Sequence, residues 1–195
     1  MALRKEQILR IMNISAEDKG LYLREIEYDD TPLILKWRNS EEVRSRFIDR
    51  RIFTKESHEA WLKNVIGSGR AKQFIICISP EGNDDAPKED YIPVGSVYVR
   101  DLDNDHRKGE YGIFIGEPEA RGRGVGSKTA KLMIRYCFET LHLHRLYLRV
   151  FADNAQAIKS YENAGFIREG VLKDDVYEDG CYYDMVIMAV INSEK

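Results

Sequence analysis

Cysteine is scarce in this chain. Cys77, Cys137 and Cys181 are far apart, odd in number and free of C-x-x-C or Cys/His spacing. That argues against a disulfide framework or a metal site and for a reducing, cytoplasmic setting. Long apolar runs are missing as well. No stretch approaches a membrane span, and residues 1–20 mix charges with Leu3, Ile8, Leu9 and Ile11 where a secretory leader carries an unbroken apolar core. There is no basic excess: 30 Lys and Arg face 33 Asp and Glu, a net charge of −3, which argues against a general nucleic-acid face. Internal repeats and low-complexity tracts are absent. What remains, 43% hydrophobic and 32% charged residues in a chain of 195, suits one globular domain. We expect an N-terminal extension over residues 1–20, holding a short amphipathic helix, and a single domain over 21–195.

The most informative stretch runs from Glu110 to Thr129. Glu110, Tyr111, Gly112, Ile113, Phe114, Ile115 and Gly116 form a short, β-prone apolar run that reads as a buried strand. Pro118 turns the chain into Arg121-Gly122-Arg123-Gly124-Val125-Gly126. From Val125 onward Thr129, Leu132, Met133, Tyr136 and Cys137 recur at three- and four-residue steps, the apolar face of a helix. A strand, a glycine-rich turn and a helix N-terminus bring backbone N–H groups toward one point and place partial positive charge behind them. Three glycines at alternate positions, beside Arg121, Arg123 and Lys128, favour a phosphate or pyrophosphate over a plain tight turn. Gly122 to Thr129 also nearly spells the triphosphatase loop G-x-x-x-x-G-K-T, but Ser127 stands where that loop needs glycine.

Around this stretch the pattern gives strands at Leu21–Ile26, Gln73–Ile78, Ile92–Arg100 and Leu146–Phe151. Asp29-Asp30-Thr31-Pro32 reads as a capped helix start, and Thr54 as the cap of a second helix that stops at Gly67 or Gly69. Asp153 or Asn154 caps a helix running to Ala164 and closed by Gly165. Ser79 to Asp90 reads as a solvated acidic loop. Phe166–Leu172 and Cys181–Ile191 read as a closing hairpin joined by an acidic turn through Asp174, Asp175, Glu178, Asp179 and Gly180.

This order and these residues resemble the GNAT superfamily of N-acetyltransferases over about residues 21–191. The resemblance rests on R-x-x-G-x-G at Arg121–Gly126 and on Asn154, Ala157, Tyr161, Gly165 and Phe166, which spell N-x-x-A-x-x-x-Y-x-x-x-G-F. It implies an α/β fold: a mixed, splayed sheet of about six to seven strands with helices on both faces. It further implies acetyl-CoA as cosubstrate, without a metal, and direct transfer to a primary amine. By position, Gly112, Ile113, Phe114 and Ile115 would receive the pantetheine arm as an added strand. The amides of Arg121, Gly122, Arg123, Gly124, Val125 and Gly126, with Ser127, would hold the pyrophosphate. Asn154 would contact the pantetheine or simply cap its helix. Tyr161 would give the leaving thiolate a proton or a hydrogen bond, or only pack. Glu110 would serve as base, directly or through water, or be a solvated strand-end carboxylate.

The acceptor is harder to read. Trp37-Arg38-Asn39, followed by Glu42, Val43 and Arg44, resembles the front segment of enzymes that acetylate nucleotide-linked amino sugars. Arg44, Arg46, Arg50 and Arg51 form a cluster that suits a diphosphate or a solvated face. That is the leading acceptor, with Trp37, Arg38 and Asn39 as its binding residues. The chain also resembles spermidine and ribosomal-protein N-terminal acetyltransferases, so the partner is a small amine or a protein N-terminus. A polyamine would need carboxylates such as Glu25, Glu27, Asp29, Asp30, Glu41 and Glu42. A CoA-binding module without catalysis is the alternative of another class. A homodimer through the closing strands is a family-level expectation.

Overall fold

Leu21 and Leu23 are buried while Tyr22 and Arg24 are half-exposed, so the first strand alternates as its sequence does. The chain, in a computed structural model that describes residues 20–80 and 83–193, continues this logic through seven strands. The expected helix within residues 1–20 lies outside the described residues, apart from Gly20. In chain order the elements are β1 (Leu21–Glu25), α1 (Thr31–Arg38), α2 (Glu41–Arg44), α3 (Lys55–Trp61), β2 (Lys72–Ile78), β3 (Ile92–Asp103) and β4 (Lys108–Ile115). They are followed by α4 (Val125–Arg135), β5 (Arg145–Phe151), α5 (Ala155–Ala164), β6 (Ile167–Glu178) and β7 (Cys181–Ile191). The strands form one mixed sheet in the order β1-β2-β3-β4-β5-β7-β6.

Every neighbouring pair is antiparallel except β4 and β5. That parallel pair is brief: it joins Lys108 to Arg145, Gly109 to Leu146 and Glu110 to Tyr147, and then the strands part. The expected splay is therefore present. On one face α4 and α5 pack through Val125, Leu132, Met133 and Ile158 onto Phe74, Val97, Tyr111 and Leu146. On the other, Ile34, Trp37 and Val43 cover Ile75, Cys77 and Phe114. The helices thus sit on both faces, as expected.

The caps follow local chemistry. Thr54 and Ser57 satisfy each other's backbone N–H groups at the start of α3, and the Asn154 side chain accepts from the Ala157 N–H at 3.2 Å. Gly165, at φ +108°, ends α5. Asp30 departs from expectation. Its carboxylate does not cap α1; it takes the Glu27 N–H at 2.8 Å and Arg24 at 2.6 Å, closing the preceding 3-10 turn instead.

The closing hairpin also differs. The segment from Asp174 to Glu178, expected as turn, is strand: β6 runs through to Glu178, and Val176 packs with Phe151 and Met185. Only Asp179 and Gly180 turn, with φ +50° and +80°. Successive positive φ values suit a tight primed turn. A register shift between Leu172 and Val176 broke the alternation that would have shown the strand.

Candidate active site

The loop ahead of α4 begins with a 3-10 turn, Pro118–Ala120, in which the Arg121 N–H donates to the Pro118 carbonyl at 3.0 Å. Gly122 and Gly124 follow at φ +73° and +77°, a backbone that side chains resist. No side chain caps α4. Among the described residues the N–H groups of Gly122, Gly124, Val125, Gly126 and Ser127 have no backbone acceptor. Arg121's amide, which the sequence placed in the donor set, is already used. Its guanidinium is used too: Nε donates to the Ile115 carbonyl at 3.1 Å, and Nη1 pairs with Glu42 at 3.5 Å. Ser127 Oγ lies 3.0 Å from Ser160 Oγ and joins α4 to α5, while Arg123 lies exposed on the loop.

Beyond Glu110, β4 has β3 on one side and open space on the other. Gly112 faces Tyr98 across that ladder, and a Cβ at Gly112 would lie 2.2 Å from the Tyr98 ring. Only glycine lets that ring cross the strand. On the opposite face Tyr161 stands edge-on to Tyr111 at 6.0 Å and to Phe166 at 5.9 Å. Burial pushes the Tyr161 phenol well above its ordinary value, with the nearby Tyr98 adding to it, so it keeps its proton. Tyr161 packs and also lines the cleft.

Glu110 is not a solvated strand-end carboxylate. It is 5% exposed, with Oε2 receiving Arg100 at 3.0 Å and Oε1 receiving Arg149 at 3.2 Å. Of the three front-segment residues, two are structural. Trp37 is 1% exposed; its ring covers Gly116, where a Cβ would fall 2.1 Å away, and its N–H donates to Glu117 at 2.8 Å. Asn39 exchanges two hydrogen bonds with the Phe53 backbone, each 2.8 Å. Neither lines the cleft; Arg38 does. Arg44 and Arg50 also stand outside the lining, whereas Arg46 and Arg51 are in it.

These parts share one cleft of about 1300 Å³, which runs from the Gly122–Ser127 loop past the parted strands and Tyr161 to the wall made by residues 38–65. The sequence reading did not single out Tyr98, Arg100, Arg149 or His58 as cleft residues. Tyr98 and Arg100 were findable in principle: strand alternation puts them on one face, opposite Gly112 and Glu110. Among the described residues no group of three or more His, Cys, Asp or Glu is placed to hold a metal ion, and no helix is long and apolar enough to cross a membrane.

A row of unspent amides at a helix start, opening onto a gap between strands, fits a diphosphate with an extended tail. The comparisons agree. The family model for the acetyltransferase (GNAT) domain matches residues 20–167. Spermidine N(1)-acetyltransferase of Vibrio cholerae serotype O1 is 27% identical over 174 residues, 89% of this chain and 94% of that one. L-amino acid N-acetyltransferase AaaT of Escherichia coli strain K12 is 29% identical over 133 residues, 68% of this chain and 76% of that one. The crystal structure of the Vibrio cholerae spermidine enzyme in complex with CoA and spermine superposes with a TM-score of 0.80 at 25% identity, covering 91% of this chain and 98% of that one. A dodecameric structure of that enzyme is also known. The chain belongs to the GNAT acetyltransferase family and is an acetyl-CoA-dependent N-acetyltransferase.

Proposed function

We propose that the acetyl group passes directly to a primary amine of a small molecule in the gap between β4 and β5. One observation carries the reading: the unspent amides of Gly122 and Gly124 to Ser127 open onto the same cleft as the free edge of β4 and Tyr161. Those amides would hold the pyrophosphate, and Gly112, Ile113, Phe114 and Ile115 would pair with the pantetheine arm. Asn154 Oδ1 accepts the Ala157 N–H, which leaves its amide nitrogen as a donor and one lone pair of Oδ1 for that arm. Acetyl-CoA supplies a thioester whose carbonyl carbon the amine attacks and whose thiolate leaves. Tyr161, held protonated and above the ordinary thiol range, is suited to donate a hydrogen bond to that sulfur rather than to surrender its proton fully. Glu110, with both oxygens engaged by arginines, is assigned to holding Arg100 and Arg149 in the cleft wall rather than to taking the amine's proton.

For the acceptor, likeness to the spermidine enzyme supports a polyamine ahead of the nucleotide-linked amino sugar. The six carboxylates suggested for a polyamine do not gather, however. Only Glu42 lines the cleft, while Asp30 pairs with Arg24 and Glu41 with Arg44. This favours a second reading, an amine whose molecule also carries negative charge. Thiol release from acetyl-CoA, measured over spermidine, a UDP-linked amino sugar, amino acids and an N-terminal Ser peptide, tests both. Turnover of spermidine alone supports the first; turnover of none, with acetyl-CoA still bound, defeats the transferase assignment and leaves a binding module. The homodimer stays a proposal, and the Vibrio enzyme's dodecamer shows that a relative assembles further.

A further inference from the structure

The cleft has more fixed positive charge than its own carboxylates can meet. Arg38, Arg46, Arg51, Arg100, Arg121, Arg149 and Lys159 line it, against Glu42, Asp49 and Glu110, with Asp153 and Asp101 pairing Arg46 and Arg100 from outside the lining at 3.8 and 3.6 Å. Each of those carboxylates is already committed: Glu42 to Arg121 at 3.5 Å, Asp49 to Arg51 at 2.7 Å, and Glu110 to Arg100 and Arg149. An ammonium group entering here finds no unclaimed counter-ion among the described lining residues.

Three lining side chains have a buried polar atom left over among the described residues, Arg38, His58 and Tyr111; the tyrosine is packed between Tyr161 and Phe166, and the other two stand on the helical wall. Arg38 is 7% exposed, with its guanidinium carbon 3.6 Å from the Phe47 ring centre and 4.8 Å from that of Phe53. Its Nη2 donates to the Asp49 carbonyl at 3.1 Å, and its buried Nη1 has no partner among the described residues. His58 is 4% exposed; Nδ1 lies 2.9 Å from Thr31 Oγ1, and the buried Nε2 has no partner among the described residues. Groups left this way are costly unless something else meets them.

We propose that Arg38 and His58 form a subsite for an oxyanion carried by the acceptor itself, a carboxylate or phosphate group on the molecule whose amine is acetylated. The inference rests on the second acceptor reading above. A guanidinium stays cationic, and Arg38, clasped between two rings, presents a planar donor fixed in direction. In the tautomer in which the Thr31 hydroxyl donates to Nδ1, the hydrogen on the His58 ring sits at Nε2 and supplies a second donor.

Steady-state thiol release with matched pairs tests this. One arm sets an amino acid against its methyl ester; the other sets a UDP-linked amino sugar against the free amino sugar. In at least one arm the charged compound is expected to win by about tenfold or more in kcat/KM. Arg38→Gln is expected to erase that preference by raising KM for the charged compound about ten- to hundredfold, with KM for its neutral twin and for acetyl-CoA unchanged. His58→Gln is expected to act in the same direction, and it serves with Arg38→Lys if Arg38→Gln does not fold. A preference for the neutral twin in both arms, a preference for spermidine, or equal KM shifts for both twins overturns the proposal. If no amine is turned over while acetyl-CoA binds, it is the transferase reading that has failed. Calorimetric titration of the CoA-bound protein with L-glutamate and with UDP then decides the subsite: binding lost in Arg38→Gln supports it, and no binding by either overturns it.

Discussion

At the scale of single residues, Tyr161 and Glu110 separate two kinds of contribution. Tyr161→Phe removes one hydroxyl and leaves the ring contacts to Tyr111 and Phe166 intact. We expect kcat to fall about 10²- to 10³-fold with acetyl-CoA affinity unchanged, read by single-turnover kinetics and calorimetry. Unchanged turnover would remove Tyr161 from the chemistry. Glu110→Gln leaves Arg100 and Arg149 without their shared counter-charge. Those side chains are 35% and 36% exposed, so water softens the cost, and about 1–3 kcal/mol of unfolding free energy should be lost in a denaturant titration. His58 sets a pH dependence. Burial lowers its pKa, against the opposing charges of Asp30 and Glu59, so the unfolded chain binds this proton more readily than the folded one. Its share of stability is present above the unfolded value near ~6.5 and is lost as pH falls below it. Replacing His58 with Gln should flatten the stability profile between about pH 7 and 5.

At the scale of elements, the loop and the parted strands are separate devices. Gly124→Ala puts a side chain into open space but forces it to φ +77°. The cost is conformational, about 1 kcal/mol, and should lower the melting temperature by roughly 2–4 °C while weakening acetyl-CoA binding. A variant that loses stability but keeps its affinity would show that the amide row does not hold the cosubstrate. This loop was legible in the sequence because glycine spacing encodes backbone shape directly, and Asn154 and Gly165 were legible as helix boundaries for the same local reason. The burial of Glu110 was not legible because its partners, Arg100 and Arg149, stand 10 and 39 residues away in the chain. Trp37 and Asn39 matched a pattern by order alone. What they do depends on Gly116, Glu117 and Phe53, which only the folded chain brings to them. The second half of β6 was hidden by its own irregularity, since Asp174 at φ +53° interrupts the period on which strand reading depends.

At the scale of the whole molecule, the sheet is built with a gap in its middle, so part of its pairing is left open to a ligand. A cosubstrate that binds the folded chain alone stabilises it by mass action, about 2.7 kcal/mol at a hundredfold excess over Kd, or roughly 5–10 °C in melting temperature for a chain of this size. Amide exchange should slow in Gly112 to Ile115 and in the first turn of α4, and far less in the β6–β7 hairpin. Protection confined to the hairpin would mean that the ligand sits elsewhere. The contact of Trp37 with Gly116 reaches further than packing. The residue beneath the indole is the one at which β4 hands over to the glycine-rich loop, and Arg38, next along the same helix, lines the cleft. Should the loop and that helix hold the two reactants as proposed, any effect of one on the affinity of the other must by reciprocity run equally in both directions.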